Sequence, residues 1–221
     1  MARSTRDKSV LVIGLGRFGG AVAETLVELG CEVLGIDADG ELVQRFSDRL
    51  THVVEADSTE EAALRQLGVG DFSKAVVAIG TDIESSILTT SSLVDLGIAE
   101  IWAKAVTDAH GKILARVGAH HVVFPEHDMG ERLAHVVTGK MIDYIELDPH
   151  FALVETEAPS ALVGKTLGEA EVRRQYGITV VCIKTEGEAF TYATAETLVR
   201  PRDILVVAGE TKKAEAFGAL D

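Results

Sequence analysis

A glycine-rich turn at the end of an apolar run constrains this chain more than any other feature. The apolar residues 10–13 lead into the sequence GLGRFG at residues 14–19, and a helical pattern follows. In a strand, turn and helix order, the spacing G-x-G-x-x-G is typical of nucleotide-binding folds. Gly14 permits a tight turn, Gly16 lets phosphates approach the backbone, and Gly19 lets helix and strand pack closely. The helix N-terminus adds unpaired N–H groups for an anion.

Apolar, β-branched runs alternate with helical patterns over the first half of the chain. The runs cover residues 10–13, 33–36, 52–55, 75–79, 101–105 and 121–124. Such alternation predicts a parallel sheet with helices on both faces. We therefore expect a doubly wound α/β domain of Rossmann type over residues 1–127.

A different pattern follows this first half. Apolar residues at helical spacing over residues 128–147 predict one long helix. It either caps the sheet or crosses over to pack on a second subunit, so that 128–148 forms a crossover or dimerisation segment. Grouped strands then predict a small α+β domain over residues 149–221, with a helix at 166–175 and a strand at 190–193.

Composition excludes several classes of protein. The net charge of −14 argues against binding to a nucleic-acid backbone or to anionic lipid. No apolar run is long enough to span a membrane, and the first residues lack the apolar stretch of a signal peptide. Cys31 and Cys182 show neither metal nor redox spacing, which favours reduced core thiols in a cytosolic protein.

Polar residues follow each predicted strand, and ligands of open α/β sheets bind at the carboxyl ends of the strands. These residues are Arg17 in the glycine turn, then Asp37-Ala38-Asp39, Asp57-Ser58, Gly80-Thr81, Lys104-Ala105 and Glu126. We expect them at one edge of the sheet, where Asp37 can accept hydrogen bonds from ribose hydroxyls.

Each of these residues also has an ordinary structural interpretation. Arg17 either binds a polyphosphate or faces solvent, and Lys104 needs an anionic partner, either a phosphate or a nearby aspartate. Asp57 and Ser58 either meet the ligand or cap the next helix. Glu126 either sits exposed or binds a divalent cation held with the nucleotide, because Mg²⁺ is usually bound by one or two carboxylates plus phosphates.

Catalytic motifs are absent from the sequence. There is no G-x-S-x-G elbow and no P-loop, and the predicted C-terminal domain at residues 149–221 holds a single histidine, His150. A dehydrogenase would need a substrate domain and an acid or base beside the nicotinamide. The sequence therefore favours binding over turnover and predicts no enzyme.

The chain resembles the cytosolic regulatory subunits of bacterial potassium uptake systems of the KtrA and TrkA type, which are built from RCK domains. The resemblance rests on GRFGG at residues 16–20, on Trp102-Ala103-Lys104-Ala105, on PEHDMG at residues 125–130 and on RRQYG at residues 173–177. It implies a site that binds ATP and ADP. The residues it implies are Gly14, Gly16, Arg17, Phe18, Gly19, Asp37, Ala38, Asp39, Asp57, Ser58, Ile79, Gly80, Thr81, Lys104, Ala105, Val106, His110 and Glu126.

The same resemblance implies roles and partners. Arg17 would meet the terminal phosphates, Lys104 and His110 would lie along the phosphates and ribose, and Glu126 would face the γ-phosphate through Mg²⁺ or Ca²⁺. Dimers would assemble into an octameric ring at the cytoplasmic face of the membrane, beneath a KtrB- or TrkH-like potassium-translocating subunit. In the C-terminal domain, Arg173 would bind cyclic di-AMP, although residues 190–195 lack the expected prolines.

Two other functions fit the same sequence. The nucleotide fingerprint suits an NAD(P)-dependent oxidoreductase, and NAD(H) could occupy the same site as ATP. A regulatory subunit of another channel or of an antiporter is the other alternative.

Overall fold

The glycine turn joins the first strand and helix of a parallel sheet in the computed structural model, which describes residues 8–138 and 141–221. The chain divides after Glu126 into two compact units. The first contains β1 (Ser9–Ile13), α1 (Arg17–Glu28), β2 (Glu32–Asp37), α2 (Gly40–Phe46), β3 (His52–Glu55), α3 (Glu61–Gln66), β4 (Lys74–Val77), α4 (Ile83–Asp95), β5 (Glu100–Lys104), α5 (Asp108–Val117) and β6 (His121–Val123).

All six strands are parallel, in the order β3-β2-β1-β4-β5-β6. Separate apolar clusters cover the two faces of this sheet, one around Leu11, Ile13 and Ile101 and the other around Val10 and Val12. Neighbouring residues of β1 point to opposite faces because side chains alternate along a strand. The predicted doubly wound Rossmann-like sheet is confirmed.

Side-chain caps fix where three of the helices begin. Asp39 accepts a hydrogen bond from the backbone N–H of Glu41, and Asp82 and Thr107 accept equivalent bonds at the starts of α4 and α5. Each cap satisfies a donor that the first helical turn leaves unpaired. The caps follow the carboxyl ends of β2, β4 and β5, so the helices start at the edge where polar residues collect.

Two glycines of the turn are required by its geometry. Gly14 has φ +90°, a backbone conformation that L side chains rarely adopt. A Cβ built on Gly19 would lie 1.8 Å from the carbonyl oxygen of Gly14. A Cβ built on Gly16, by contrast, has nothing within 4 Å, so there is free space beside this residue.

The second unit is an antiparallel sheet with short helices. Its elements are α6 (Pro125–Thr138), which begins at the end of the first unit, then β7 (Met141–Asp148), β8 (Phe151–Glu157), α7 (Val172–Tyr176), β9 (Ile178–Lys184), β10 (Thr191–Tyr192), β11 (Ile204–Glu210) and α8 (Thr211–Gly218). The strand order is β10-β9-β11-β8-β7. Its core includes Val154, Leu205 and Phe217. The predicted α+β character is confirmed.

The prediction of one helix over residues 128–147 is correct only in its first half. The helix α6 is seen to Thr138, residues 139 and 140 lie outside the described part, and Met141 begins strand β7. Met141 and Tyr144 are buried in the core of the second unit, and β7 pairs with β8 through a tight turn at Pro149. Pairing along β8 therefore decided the conformation, since the apolar spacing fitted a helix equally well.

Two smaller predictions in this unit are also wrong. The predicted helix at residues 166–175 is reduced to α7, because Glu171 has φ +44° and its left-handed backbone cannot continue a right-handed helix. The predicted strand at residues 190–193 contains only the two residues of β10.

Candidate functional site

Backbone hydrogen bonds align the carboxyl ends of the central strands. The N–H of Gly14 donates to the carbonyl of Ile36 at 2.8 Å, and the N–H of Ala78 donates to the carbonyl of Ile13 at 2.7 Å. These bonds continue the sheet by one residue past β1 and β4. The glycine turn, the end of β2 and the segment after β4 therefore lie side by side.

Asp37 uses both carboxylate oxygens within this edge. Its Oδ2 accepts a hydrogen bond from the N–H of Leu15 at 2.5 Å, and its Oδ1 accepts one from the N–H of Asp39 at 2.9 Å. The carboxylate predicted to meet a ribose thus also holds the glycine turn in place. A carboxylate has about four lone-pair sites, so these two bonds leave acceptor capacity for a ligand.

Lys104 is a nearly buried cation at the end of β5. Its side chain is 10% exposed, and its Nζ donates to Oε1 of Glu126 at 2.5 Å. The same Nζ lies 5.7 Å from the centre of the Phe18 ring and 3.0 Å from a Cβ built on Gly80. The anionic partner that the sequence required is therefore Glu126 in this structure, and not an aspartate.

Glu126 is exposed, and neighbouring cations affect its ionisation. The hydrogen bond from Lys104 lowers the pKa of its carboxyl group, with smaller contributions from the charges of Lys104 and Arg17. Arg17 itself is exposed at the start of α1, so its guanidinium remains available to an anion. The carboxylate of Glu126 thus lies near two cations, Lys104 and Arg17.

Glu126 is the residue predicted to bind a divalent cation at this edge. Glu126 supplies one carboxylate, and the described residues contain no group of three or more metal-ligating side chains. One carboxylate suits Mg²⁺ only where phosphates complete the coordination shell. The residues therefore fit a cation that arrives with a nucleotide, and the predicted metal role of Glu126 stays a prediction.

His110 is a buried histidine with an unpartnered nitrogen. It is 2% exposed, and its Nδ1 accepts a hydrogen bond from the N–H of Val106 at 3.3 Å. The proton must then be on Nε2, which has no hydrogen-bond partner among the described residues. Burial lowers the pKa of His110, so the ring is neutral and presents an unused donor.

Asp57 and Ser58 are engaged locally. Oδ1 of Asp57 accepts from both the N–H and the hydroxyl of Thr59, and these bonds lower its pKa. Ser58 is buried and exchanges a hydrogen bond with Thr89 of α4 at 2.8 Å. Neither caps α3, whose N-cap is Glu60. No role was predicted for Thr89; the available signal was the run of small polar residues at 89–92 within a helical pattern.

The remaining predicted residues lie in the loops at the same edge. Ala38 and Asp39 follow β2, Ile79, Gly80 and Thr81 follow β4, and Ala105 and Val106 follow β5. Val106 and Thr81 are exposed, whereas Ala105 is buried. Their contact with a ligand stays a prediction.

The second unit contains a pocket of about 410 Å³. Its walls include Leu167, Val172, Arg173, Ile178 and Ala193. Arg173 is exposed and donates two hydrogen bonds to the hydroxyl of Thr179, at 3.1 and 2.8 Å. The residue that the resemblance assigned to cyclic di-AMP therefore lines an open pocket with both apolar and polar walls.

A six-stranded parallel sheet with a glycine turn and cations at its carboxyl edge defines a nucleotide-binding fold of the Rossmann type, here joined to an α+β unit. The family model described as TrkA-N domain matches residues 10–125, and that described as TrkA-C domain matches residues 151–220. The chain belongs to the TrkA family of two-domain proteins. None of its described helices has the length and apolar character needed to cross a membrane.

Two similar relatives are Ktr system potassium uptake proteins C and A of Bacillus subtilis. They are 42% and 38% identical to this chain, and each alignment covers at least 95% of this chain and 96% of the relative. The GsuK RCK domain and the GsuK channel bound to NAD share its fold, with TM-scores of 0.67 and 0.66 at 19% and 18% identity. Those alignments cover 96% and 95% of this chain, which spans less than half of the GsuK chains (47% and 38%).

Proposed function

We propose that this chain is the nucleotide-sensing regulatory subunit of a Ktr- or Trk-type potassium uptake system. Nucleotide binding is supported by the nearly buried Lys104 beside the glycine turn, at the sheet edge where such folds bind ligands. A role in potassium uptake is supported by the 42% identity to Ktr system potassium uptake protein C over 95% of the chain. Its partner is an integral-membrane, potassium-translocating subunit of the KtrB or TrkH kind.

ATP and ADP are the proposed ligands. Their phosphates meet the N-terminus of α1, Arg17 and Lys104, the ribose meets Asp37, and His110 offers its unused Nε2–H. Glu126, with Mg²⁺ or Ca²⁺, accompanies the γ-phosphate, which ADP lacks. A ligand shifts a conformational equilibrium only through its different affinity for the two states, so the γ-phosphate contacts would distinguish ATP from ADP.

Assembly belongs to the same proposal. Met129, Leu133 and Val137 follow each other at intervals of four along α6 and are all more than half exposed. Residues at that spacing share one face of a helix, and an apolar face suits packing against a second copy of the chain. Dimers joined there would build the ring that acts at the cytoplasmic side of the membrane without entering the lipid.

The experiment is a titration of purified protein with ATP, ADP and NAD(H), with and without divalent ions, followed by light scattering for assembly size. Arg17→Ala should reduce the ratio of ATP to ADP affinity, and Arg45→Ala, which removes a cation from the last turn of α2, should not. An unchanged ratio for Arg17→Ala removes Arg17 from the sensor. Binding of NAD(H) with hydride transfer would favour the oxidoreductase alternative, and failure to bind any nucleotide would contradict the proposal.

The pocket of the second unit is the proposed site of a second ligand. We propose that it binds cyclic di-AMP, with Arg173 facing a phosphate and the apolar walls facing the bases. Arg173→Ala should weaken binding at least tenfold, since hydrogen bonds to charged groups contribute about 1.5–3 kcal/mol. The adjacent Arg174, which pairs with Glu171, is the matched control. Equal affinities of the two alanine variants would exclude Arg173.

A further inference from the structure

Lys104, the cation at the end of β5, already forms an ion pair with Glu126 of the same chain. Nζ of Lys104 and Oε1 of Glu126 lie 2.5 Å apart, although the Lys104 side chain is only 10% exposed and that of Glu126 is 65% exposed. Burying an ammonium group without a partner is costly. Glu126 therefore supplies from the surface the counter-charge that Lys104 lacks in its own surroundings.

The surroundings of Lys104 restrict where another anion can approach. A Cβ on Gly80 would lie 3.0 Å from its Nζ, and the centre of the Phe18 ring lies 5.7 Å from it. A phosphate that reached this ammonium would also come close to the carboxylate of Glu126. The negative charges of the phosphate and of the carboxylate, both within contact distance of one ammonium group, repel each other strongly where water is partly excluded.

We propose that Glu126 is a built-in competitor for the phosphate position at Lys104. A nucleotide phosphate binds Lys104 by displacing Glu126, so either the phosphate or the Glu126 carboxylate is paired with the ammonium group at any one time. This inference rests on the proposed function, because it assumes that nucleotide phosphates bind at this edge, and it adds how that site is regulated.

The position of Glu126 in the chain gives the exchange a structural consequence. Glu126 is the second residue of α6, directly after Pro125. Displacing its side chain from Lys104 releases the one ion pair that the first turn of α6 makes with β5 in the described structure. Occupation of the site by phosphate would thus loosen the start of α6, while the freed carboxylate becomes available to a cation.

The competition can be measured by ADP binding without divalent ions. Isothermal titration of the full chain with ADP in EDTA compares the wild type with Glu126→Gln, which keeps the size of the side chain but removes its charge. We expect Glu126→Gln to bind ADP roughly three- to thirtyfold more tightly, the range for removing one partly exposed charged competitor. Glu131→Gln, an exposed glutamate on the same helix, should match the wild type.

A second variant keeps the test informative if Glu126→Gln does not fold. Glu126→Asp withdraws the carboxylate by one methylene and should give an intermediate gain in ADP affinity. Equal or weaker ADP binding by these variants, with normal binding by the wild type, overturns the competition and leaves the proposed function intact. If neither the wild type nor any variant binds ADP, the proposed function fails and this inference fails with it.

Discussion

The carboxylate of Asp37 holds the backbone N–H of Leu15 at 2.5 Å, which ties the end of β2 to the turn that follows β1. The two residues are 22 positions apart, so the bond fixes the turn against the sheet and not only within its own loop. Asp37 therefore stabilises the glycine turn in the protein without any ligand.

Asp37→Ala should lower the free energy of unfolding by about 1.5–3 kcal/mol, the range for a hydrogen bond to a charged group. The loss should appear in urea unfolding followed by circular dichroism, without nucleotide. Asp48→Ala removes an exposed aspartate that follows α2 and should change stability by less than about 0.5 kcal/mol. If both variants unfold alike, the Asp37–Leu15 bond does not stabilise the free protein.

Two glycines of the turn should respond differently to alanine. Gly19→Ala places a Cβ 1.8 Å from the Gly14 oxygen, so we expect a stability loss of about 3 kcal/mol or more, or failure to fold. Gly16→Ala has open space and should fold normally while losing nucleotide affinity, because its methyl group would lie in the proposed path of the phosphates. Thermal unfolding and nucleotide titration of both variants separate the two effects, and a well-folded Gly19→Ala would contradict the geometry.

The helix α6 should become more stable when Gly130 is replaced. A Cβ on Gly130 has nothing within 4 Å, and glycine inside a helix costs about 0.5–1 kcal/mol relative to alanine. Gly130→Ala should therefore raise the urea midpoint of the second unit. Gly218→Ala is the contrasting variant, since its Cβ would lie 2.8 Å from Met141, and it should lower stability. A lower midpoint for Gly130→Ala would show that α6 packs differently.

His110 should make stability depend on pH below neutrality. Burial lowers its pKa in the folded protein, while the unfolded chain titrates near 6.5, so the unfolded state binds the proton first as pH falls. This contribution is fully present above about pH 6.5 and decreases by up to about 1.4 kcal/mol per pH unit between the two pKa values. Melting temperatures from pH 8 to 5 should fall less for His110→Asn than for the wild type.

His127→Asn is the control for this measurement, because His127 is exposed on α6 and lies near Glu131. This variant keeps the buried ring of His110, so its melting temperature should still fall as the pH is lowered. Parallel profiles for His110→Asn and the wild type would show that His110 is charged without cost in the folded protein.

Local sequence patterns were enough to predict the first unit and the class of its site. The β-branched runs and intervening helices specified a parallel sheet, and the glycine spacing specified its first turn, because these depend on local backbone preferences. Grouping Arg17, Asp37 and Lys104 at one edge followed from the direction of parallel strands alone.

The pairing of polar groups, by contrast, depended on contacts between distant parts of the folded chain. Lys104 could have met a phosphate or an aspartate, and the fold supplied Glu126 from 22 residues away. Ser58 met Thr89 for the same reason, since partners distant in sequence leave no local pattern. Residues 141–148 became a strand because pairing with β8 stabilised that conformation, although their apolar spacing alone had indicated a helix.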